Sequence, residues 1–211
     1  MKKNFSAIIT AAGQGKRLNS NIPKALIKIN KKPLIYWIVK KLNYKISNLF
    51  VIVSAKNEIA IREYLINTFP SFKSKIFFIR QNKKLGTAHA IYLTRKLIKT
   101  KYVVTVWCDQ ILFTKNTLNK CINSISKNNK FLVFPSVQMK KPYLKFVKKN
   151  NIIKKVQYSI YSRNLIKSGE KDCGIFFFDS KILFKTIESV TLKKLIPAKS
   201  KETNLLEILP I

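Results

Sequence analysis

Short apolar runs alternate with stretches in which apolar residues recur every three or four positions, along most of the chain. Residues 6–10 form an apolar run of strand length, and residues 25–29 a second, short extended segment. Lys31-Lys32 predicts a turn, and Pro33 fits the first position of a helix, where its missing N–H would be unpaired anyway. Leu34, Ile35, Ile38 and Leu42 then recur at helical spacing, with Lys40 and Lys41 on the other face. Residues 49–54 read as a strand, 58–67 as a helix closed before Pro70, and 76–80 as another strand. Gly86-Thr87 opens a helix carrying Ile91, Leu93, Leu97 and Ile98, with Thr87 as its N-cap. Residues 102–107 are a buried strand, 117–125 a helix, and 131–137 a strand. Residues 143–147 and 152–156 pair as a hairpin across Lys148-Lys-Asn-Asn151. Residues 175–179 form the last strand, and residues 202–211 a helix start and stop. Strands alternating with helices predict a mostly parallel sheet covered on both faces.

Composition narrows this picture without changing it. A chain of 211 residues with 46% hydrophobic content can bury one good core and reads as one domain. No apolar run is long enough to cross a bilayer, and Met-Lys-Lys-Asn leads into a strand rather than a cleavage site, so a cytoplasmic protein with no membrane partner is expected. Cys108, Cys121 and Cys173 are odd in number and lack a C-x-x-C spacing, which predicts reduced thiols. The formal net charge of +33 suggests a polyanionic partner. Yet the lysines are spread through every segment among Ile and Asn, as in AT-rich coding, and the aromatics sit in strand runs such as 176–178. Nucleic-acid surfaces interleave basic and exposed aromatic residues. The expectation is no specific nucleic acid, with weak salt-sensitive binding to any polyanion. The oligomeric state is not written in the chain.

Candidate chemistry begins at Ala7-Ile-Ile-Thr-Ala-Ala-Gly13-Gln-Gly15-Lys-Arg17, which runs on to Pro23-Lys24. Ala11, Ala12, Gly13 and Gly15 follow the first strand and remove side chains that would keep a ligand off the backbone. Such a turn can aim several N–H groups at a phosphate. Arg17 suits a bidentate grip on phosphate oxygens, and Lys24 acts as a point charge. Strand, small-residue loop and cations describe a site for a nucleoside triphosphate. The G-x-x-x-x-G-K-[ST] loop is absent, and the G-x-G-x-x-G pattern fails because Leu18 stands where its third glycine belongs. The second stretch, Gln81-Asn-Lys-Lys84-Leu-Gly86-Thr87-Ala-His89-Ala, puts an amide at a strand end and a glycine at a helix start, where open α/β sheets bind ligands. The third, Trp107-Cys108-Asp109, ends a buried strand on one of only nine acidic residues. An acid there can hold Mg²⁺, which favours carboxylates, waters and phosphate oxygens. The alternative for Asp109 is a helix cap before Thr114.

The A-A-G-x-G-x-R and P-K patterns, with Q-x-x-x-x-G-T-A-H-A, resemble the nucleotidyltransferases that activate sugar phosphates. This MobA-like NTP transferase family includes the uridylyltransferase domain that makes UDP-N-acetylglucosamine and the cytidylyl- and guanylyltransferases of the molybdenum cofactor. The resemblance implies a single Rossmann-like α/β/α domain over residues 1–211, with a mixed, mainly parallel sheet. It implies transfer of a nucleotidyl group from an NTP to a sugar 1-phosphate, with release of pyrophosphate. Arg17, Lys24 and Asp109 would be catalytic, with Mg²⁺ on Asp109. Ala11, Ala12, Gly13 and Gly15 would seat the nucleotide backbone, and Gln81, Gly86 and Thr87 the base and ribose. His89 would fix the loop rather than carry a proton. Trp107, Gln157, Asp172 and Gly174 fall in the acceptor region. Lys84, Cys108, Gln157 and Asp172 replace the family's second glutamine, glycine, glutamate and asparagine, which leaves base and acceptor open. Asp172 is either an acceptor contact or a turn acid. The family continues to a G-V/I-N segment whose asparagine completes the metal site. With no counterpart here, either the chain is shorter than its relatives or a phosphate oxygen or water takes that place. A nucleotide-binding or regulatory protein of the same fold, a molybdopterin-type transferase and a polyanion-binding module are the alternatives.

Overall fold

The computed structural model describes residues 4–13, 22–83, 85–127, 130–150, 152–159, 166–192 and 204–208. In chain order, the strands are β1 (Phe5–Thr10), β2 (Lys28–Ile29), β3 (Lys32–Pro33), β4 (Leu49–Val53), β5 (Ile76–Arg80), β6 (Tyr102–Trp107), β7 (Leu132–Val133), β8 (Ser136–Lys140), β9 (Leu144–Lys149), β10 (Ile152–Tyr158), β11 (Ser168–Asp172) and β12 (Ile175–Asp179). The helices are α1 (Leu34–Leu42), α2 (Glu58–Thr68), α3 (Gly86–Tyr92), α4 (Lys115–Lys127), α5 (Ser180–Leu192) and α6 (Leu205–Ile208).

The central sheet runs β5-β4-β1-β6-β12-β7. β5, β4, β1 and β6 are parallel neighbours, and β12 is antiparallel to both β6 and β7. Its strands are apolar on both faces, so alternate residues enter two separate cores. Ala7, Ile9, Val51, Val53, Val104 and Val106 face α1, α2 and α4 through Ile35, Ile38, Ile61, Leu65, Leu118 and Ile125. Ile8, Phe50, Ile52, Val103, Phe176 and Phe178 face α3, α5 and α6 through Ala88, Ile91, Leu183, Ile187 and Leu205. The result is a three-layer α/β/α architecture with a mixed, mainly parallel sheet. No helix among the described residues is long and apolar enough to cross a membrane.

Local pattern and structure differ at several element ends. Residues 25–29 are not one extended segment. Lys24–Leu26 forms a 3₁₀ turn, and β2 and β3 then make a hairpin. Its turn falls on Asn30-Lys31, both at positive φ, as a two-residue turn of the twist-matching kind requires. Pro33 therefore ends β3 in an extended conformation, and α1 starts one residue later. Thr87 is not the cap of α3, since Leu85 precedes the helix and Gly86 begins it. α3 also stops at Tyr92 rather than reaching Ile98. The Thr94 hydroxyl donates to the Ile91 carbonyl at 2.7 Å, and such back-bonding competes with the helix ladder.

The expected strand over 131–137 is split at Pro135, which has no N–H to give a ladder. β7 stays in the main sheet, and β8 turns away to pair with β11. β9 and β10 form the expected hairpin, with Asn150 at positive φ in its turn. β11 and α5 lie outside the elements read from the sequence, although Asp179 at the head of α5 accepts the Ile182 N–H at 3.1 Å as an N-cap should.

Candidate active site

β1, β4, β5 and β6 all end at one edge of the sheet, and each delivers a short segment there. Binding crevices of open α/β sheets form outside such carboxyl ends. After β1, the Ala11 N–H donates to Ile52 O at 2.8 Å, which seats the loop root on β4. Ala11 is fully buried, whereas a side chain added at Gly13 would meet nothing within 4 Å. The loop therefore passes from core to open space within two residues. Gly15 and Arg17 lie outside the described residues.

Lys24 sits in the 3₁₀ turn held by the Leu26 N–H to Pro23 O bond at 2.7 Å and by the buried Ala25. Its ammonium donates to Oδ2 of Asp109 in an ion pair across 85 positions of sequence. Both side chains keep about a third of their exposure, 32% and 33%. Asp109 is not the helix cap, because the Thr117 N–H donates to the Thr114 hydroxyl at 3.0 Å. Cys108 turns into the core on the α4 side, and burial, aided by the Asp109 charge, pushes its thiol up to about 12. It therefore leaves the cleft side of the strand end to Asp109. Lys41, read from spacing as part of a solvated face, donates to Ile111 O and lies 5.1 Å from the Phe113 ring centre. Burial holds its ammonium below the usual lysine range. It ties the segment after Asp109 to α1.

After β5, the Gln81 amide nitrogen lies 3.1 Å from Gly86 O and 3.1 Å from Nδ1 of His89. Gly86, with φ 88°, makes the turn that brings its carbonyl back to Gln81. Burial lowers the His89 pKa and so favours the neutral ring, and a Gln81 N–H directed at Nδ1 requires the tautomer in which Nδ1 accepts. His89 thus braces the loop. Thr87 points elsewhere than expected, since its hydroxyl accepts the Leu205 N–H at 2.9 Å and so anchors α6 on α3.

Of the residues expected on the acceptor side, Trp107, Asp172 and Gly174 form a second cluster. The Trp107 N–H donates to Gly174 O at 3.1 Å. Gly174 has φ 67°, and a Cβ there would lie 2.2 Å from Cγ of Gln110 and 3.1 Å from the Trp107 ring. Only glycine lets these three meet. Asp172 is 1% exposed, accepts the Gly174 N–H at 2.7 Å on Oδ1 and is 3.5 Å from the Tyr143 hydroxyl on Oδ2. Burial raises its pKa against the lowering effect of that N–H. This is the geometry of a buried turn acid. Tyr143 carries the exposure instead, and burial of its hydroxyl end with the charges of Asp172 and, more weakly, Asp109 raises its pKa. Gln157 lies farther out on β10, opposite Lys145.

Sequence reasoning missed Lys41, Tyr143, Gln110 and Asn57. Nothing separates Lys41 from the other cations, and Asn57 before Glu58 reads as an ordinary helix cap. Tyr143 could have been noticed only as an aromatic beside Pro142 at the foot of the hairpin.

Among the described residues, no group of three or more His, Cys, Asp or Glu could cage a metal ion. A single, partly exposed carboxylate at a strand end still suits Mg²⁺, which keeps waters and takes phosphate oxygens beside one or two carboxylates.

Comparison with known proteins agrees with this fold. Residues 7–170 match the MobA-like NTP transferase domain. The bifunctional protein GlmU of Clostridium beijerinckii is 26% identical over 191 residues, covering 88% of this chain and 40% of that protein. The chain thus spans about 40% of the length of the curated relatives it matches. UDP-glucose pyrophosphorylase, solved with UDP-glucose, shares the fold with a TM-score of 0.73 at 17% identity, over 96% of this chain and 84% of that one. HddC from Yersinia pseudotuberculosis, solved with GMP-PN, superposes with a TM-score of 0.67 at 19% identity, over 95% and 83% of the two chains. With a match over most of its length and a small-residue segment leaving the end of β1, the chain belongs to the family of MobA-like NTP transferase domains.

Proposed function

We propose that the chain transfers a nucleotidyl group from an NTP to a sugar 1-phosphate. An acceptor phosphate oxygen bonds to the α-phosphorus as the bond to pyrophosphate breaks. The observation that carries this reading is the Lys24–Asp109 pair at the same sheet edge from which the Ala11–Gly13 segment leaves β1. An acid and a cation 85 positions apart in sequence meet at the strand ends, which supports a phosphate site there. The curated GlmU relatives and the sugar-nucleotide enzymes that share the fold support the choice of acceptor.

The roles follow from charge. Lys24, with Arg17 from the preceding loop, draws the triphosphate in and offsets the repulsion met by an incoming phosphate oxygen. Positioning and electrostatics are the main catalytic terms for such transfers, so no general base is needed. Ala11, Ala12, Gly13 and Gly15 take the nucleotide backbone, and Gln81 with Gly86 takes the base side. Thr87 and Asp172 act through what they hold, α6 and the Gly174 turn. Trp107, Gly174, Gln110 and Tyr143 shape the acceptor side, with Gln157 at its outer rim. Asp109 would hold Mg²⁺, which supplies charge neutralisation on the phosphates.

The test is a pyrophosphate-release screen of the four NTPs against a panel of sugar 1-phosphates. Turnover with one NTP and one sugar phosphate, lost in Asp109→Asn, is the expected result. Binding of an NTP without turnover on any phosphorylated acceptor would replace this reading with that of a nucleotide-binding protein.

A further inference from the structure

Asn57 precedes α2 and holds a helix-cap position, where an asparagine ordinarily turns its side chain onto the free N–H groups of the first turn. Here it makes no such bond. It is 4% exposed, and its amide is spent on two other partners. Oδ1 accepts the Ser54 N–H at 2.8 Å, and Nδ2 donates to Ala11 O at 2.8 Å across 46 positions of sequence. A cap is forgone, and a buried polar side chain ties the segment after β4 to the loop root after β1. Local rules broken in this way mark functional sites.

The consequence lies on the other side of that peptide. The Ala11 N–H and C=O both point toward β4, the one onto Ile52 O and the other onto Asn57. The Ala11–Ala12 peptide is trans, so the Ala12 N–H points the opposite way, toward the β6 side. The parallel register ends with Thr10 beside Trp107, so Ala11-Ala12 and Cys108-Asp109 leave neighbouring strand ends, the latter as a turn closed by the Gln110 N–H on Trp107 O at 3.0 Å. No described residue accepts the Ala12 N–H. We infer that Asn57 is a positioning residue. By holding the Ala11 carbonyl, it aims the Ala12 N–H into the gap between the small-residue loop and the Lys24–Asp109 pair, as a ready donor to a nucleotide oxygen. The inference rests on the nucleotide reading of the loop given above.

Two substitutions separate the amide's two bonds. Asn57→Asp keeps an acceptor for Ser54 but presents an anionic oxygen to the Ala11 carbonyl. Asn57→Ser can cap α2 and is too short to reach Ala11, so it serves if the aspartate variant folds poorly. Binding of each magnesium NTP is measured by titration calorimetry without acceptor, and KM for NTP and for acceptor by pyrophosphate release. Loss of one oriented donor is worth about tenfold. The dissociation constant and KM for NTP should rise by about that factor, while KM for the acceptor stays within about twofold. Unchanged NTP affinity in a folded variant that has lost the Ala11 bond overturns the inference alone. An equal rise in both KM values also overturns it, because that describes general loosening. Failure of the unsubstituted chain to bind any of the four NTPs overturns the nucleotide reading itself and this inference with it.

Discussion

Replacing Lys24 by methionine removes the ammonium and keeps most of the stem, which makes it the most direct probe of the cleft. The structure sets two very different magnitudes for the loss. As a folding contact the Lys24–Asp109 pair is modest, because both side chains keep about a third of their exposure and water screens them. Pairs of this kind contribute about 0–1 kcal/mol. For a chain of 211 residues that is a fall of about 2–4 °C in Tm at most. On the proposed reading the same ammonium would face charge on a triphosphate, where a lost electrostatic donor costs about 10²–10³-fold in rate, or about 3–4 kcal/mol. The expected variant is folded, melts near the parent temperature and releases pyrophosphate at least a hundredfold more slowly. Lys24→Arg should recover part of the rate, since the charge returns in a planar fork rather than as a point. Combined with Asp109→Asn, the loss should fall short of the product of the two single losses, because on that reading both residues serve the same phosphates. Scanning calorimetry and a coupled pyrophosphate assay read the two effects separately. A variant within threefold of parent turnover would refute the reasoning. So would a Tm drop beyond 10 °C, which would make the pair a folding contact first.

Three further outcomes follow from single contacts. Gly174→Ala should cost about 1–3 kcal/mol in urea unfolding, since alanine resists φ 67° and its methyl would lie 2.2 Å from Cγ of Gln110; the acceptor KM should rise as Gln110 and Trp107 move. Thr87→Val leaves the Leu205 N–H without its acceptor and should cost about 1–3 kcal/mol, recovered by Thr87→Ser, in melts without nucleotide. His89 has a depressed pKa in the folded chain, so below its ordinary value of about 6.5 the unfolded chain binds more protons. Its contribution is present above pH 6.5 and is lost as pH falls toward the folded value. His89→Gln should therefore lose less stability than the parent between pH 7 and pH 5, and an identical slope in the two chains would remove His89 as the cause.

The family and the layer order were legible before any coordinates. The apolar runs over 6–10, 49–54, 76–80 and 102–107 became β1, β4, β5 and β6 within a residue or two, because strands buried on both faces leave little room for polar residues. The small-residue loop and the lone acid after Trp107 were likewise visible as residue types at fixed spacing. Other features were not, for identifiable reasons. Thr87 looked like a cap because its partner, Leu205, lies 118 positions away. Asp172 allows two readings from its spacing, and its burial and its bond to Gly174 support that of a turn acid. β11 escaped because Ser-Gly-Glu-Lys-Asp has no apolar alternation, and its pairing with β8 supplies the order instead.

The one-dimensional pattern thus carries the architecture, since burial imposes a period on every strand and helix wherever its partner lies. It also carries the inventory of chemistry, since a cation, a carboxylate and a glycine are recognisable as such. Which cation meets which carboxylate is another matter. Lys24 is one of forty-two basic residues and Asp109 one of nine acids. Their meeting depends on β1 and β6 lying side by side, a pairing no local window contains. The same holds for Asn57 and Ala11, which adjacent strand ends bring within one hydrogen bond. Side-chain partners across a parallel sheet are set by strand order and register, and those are settled only when both cores close together.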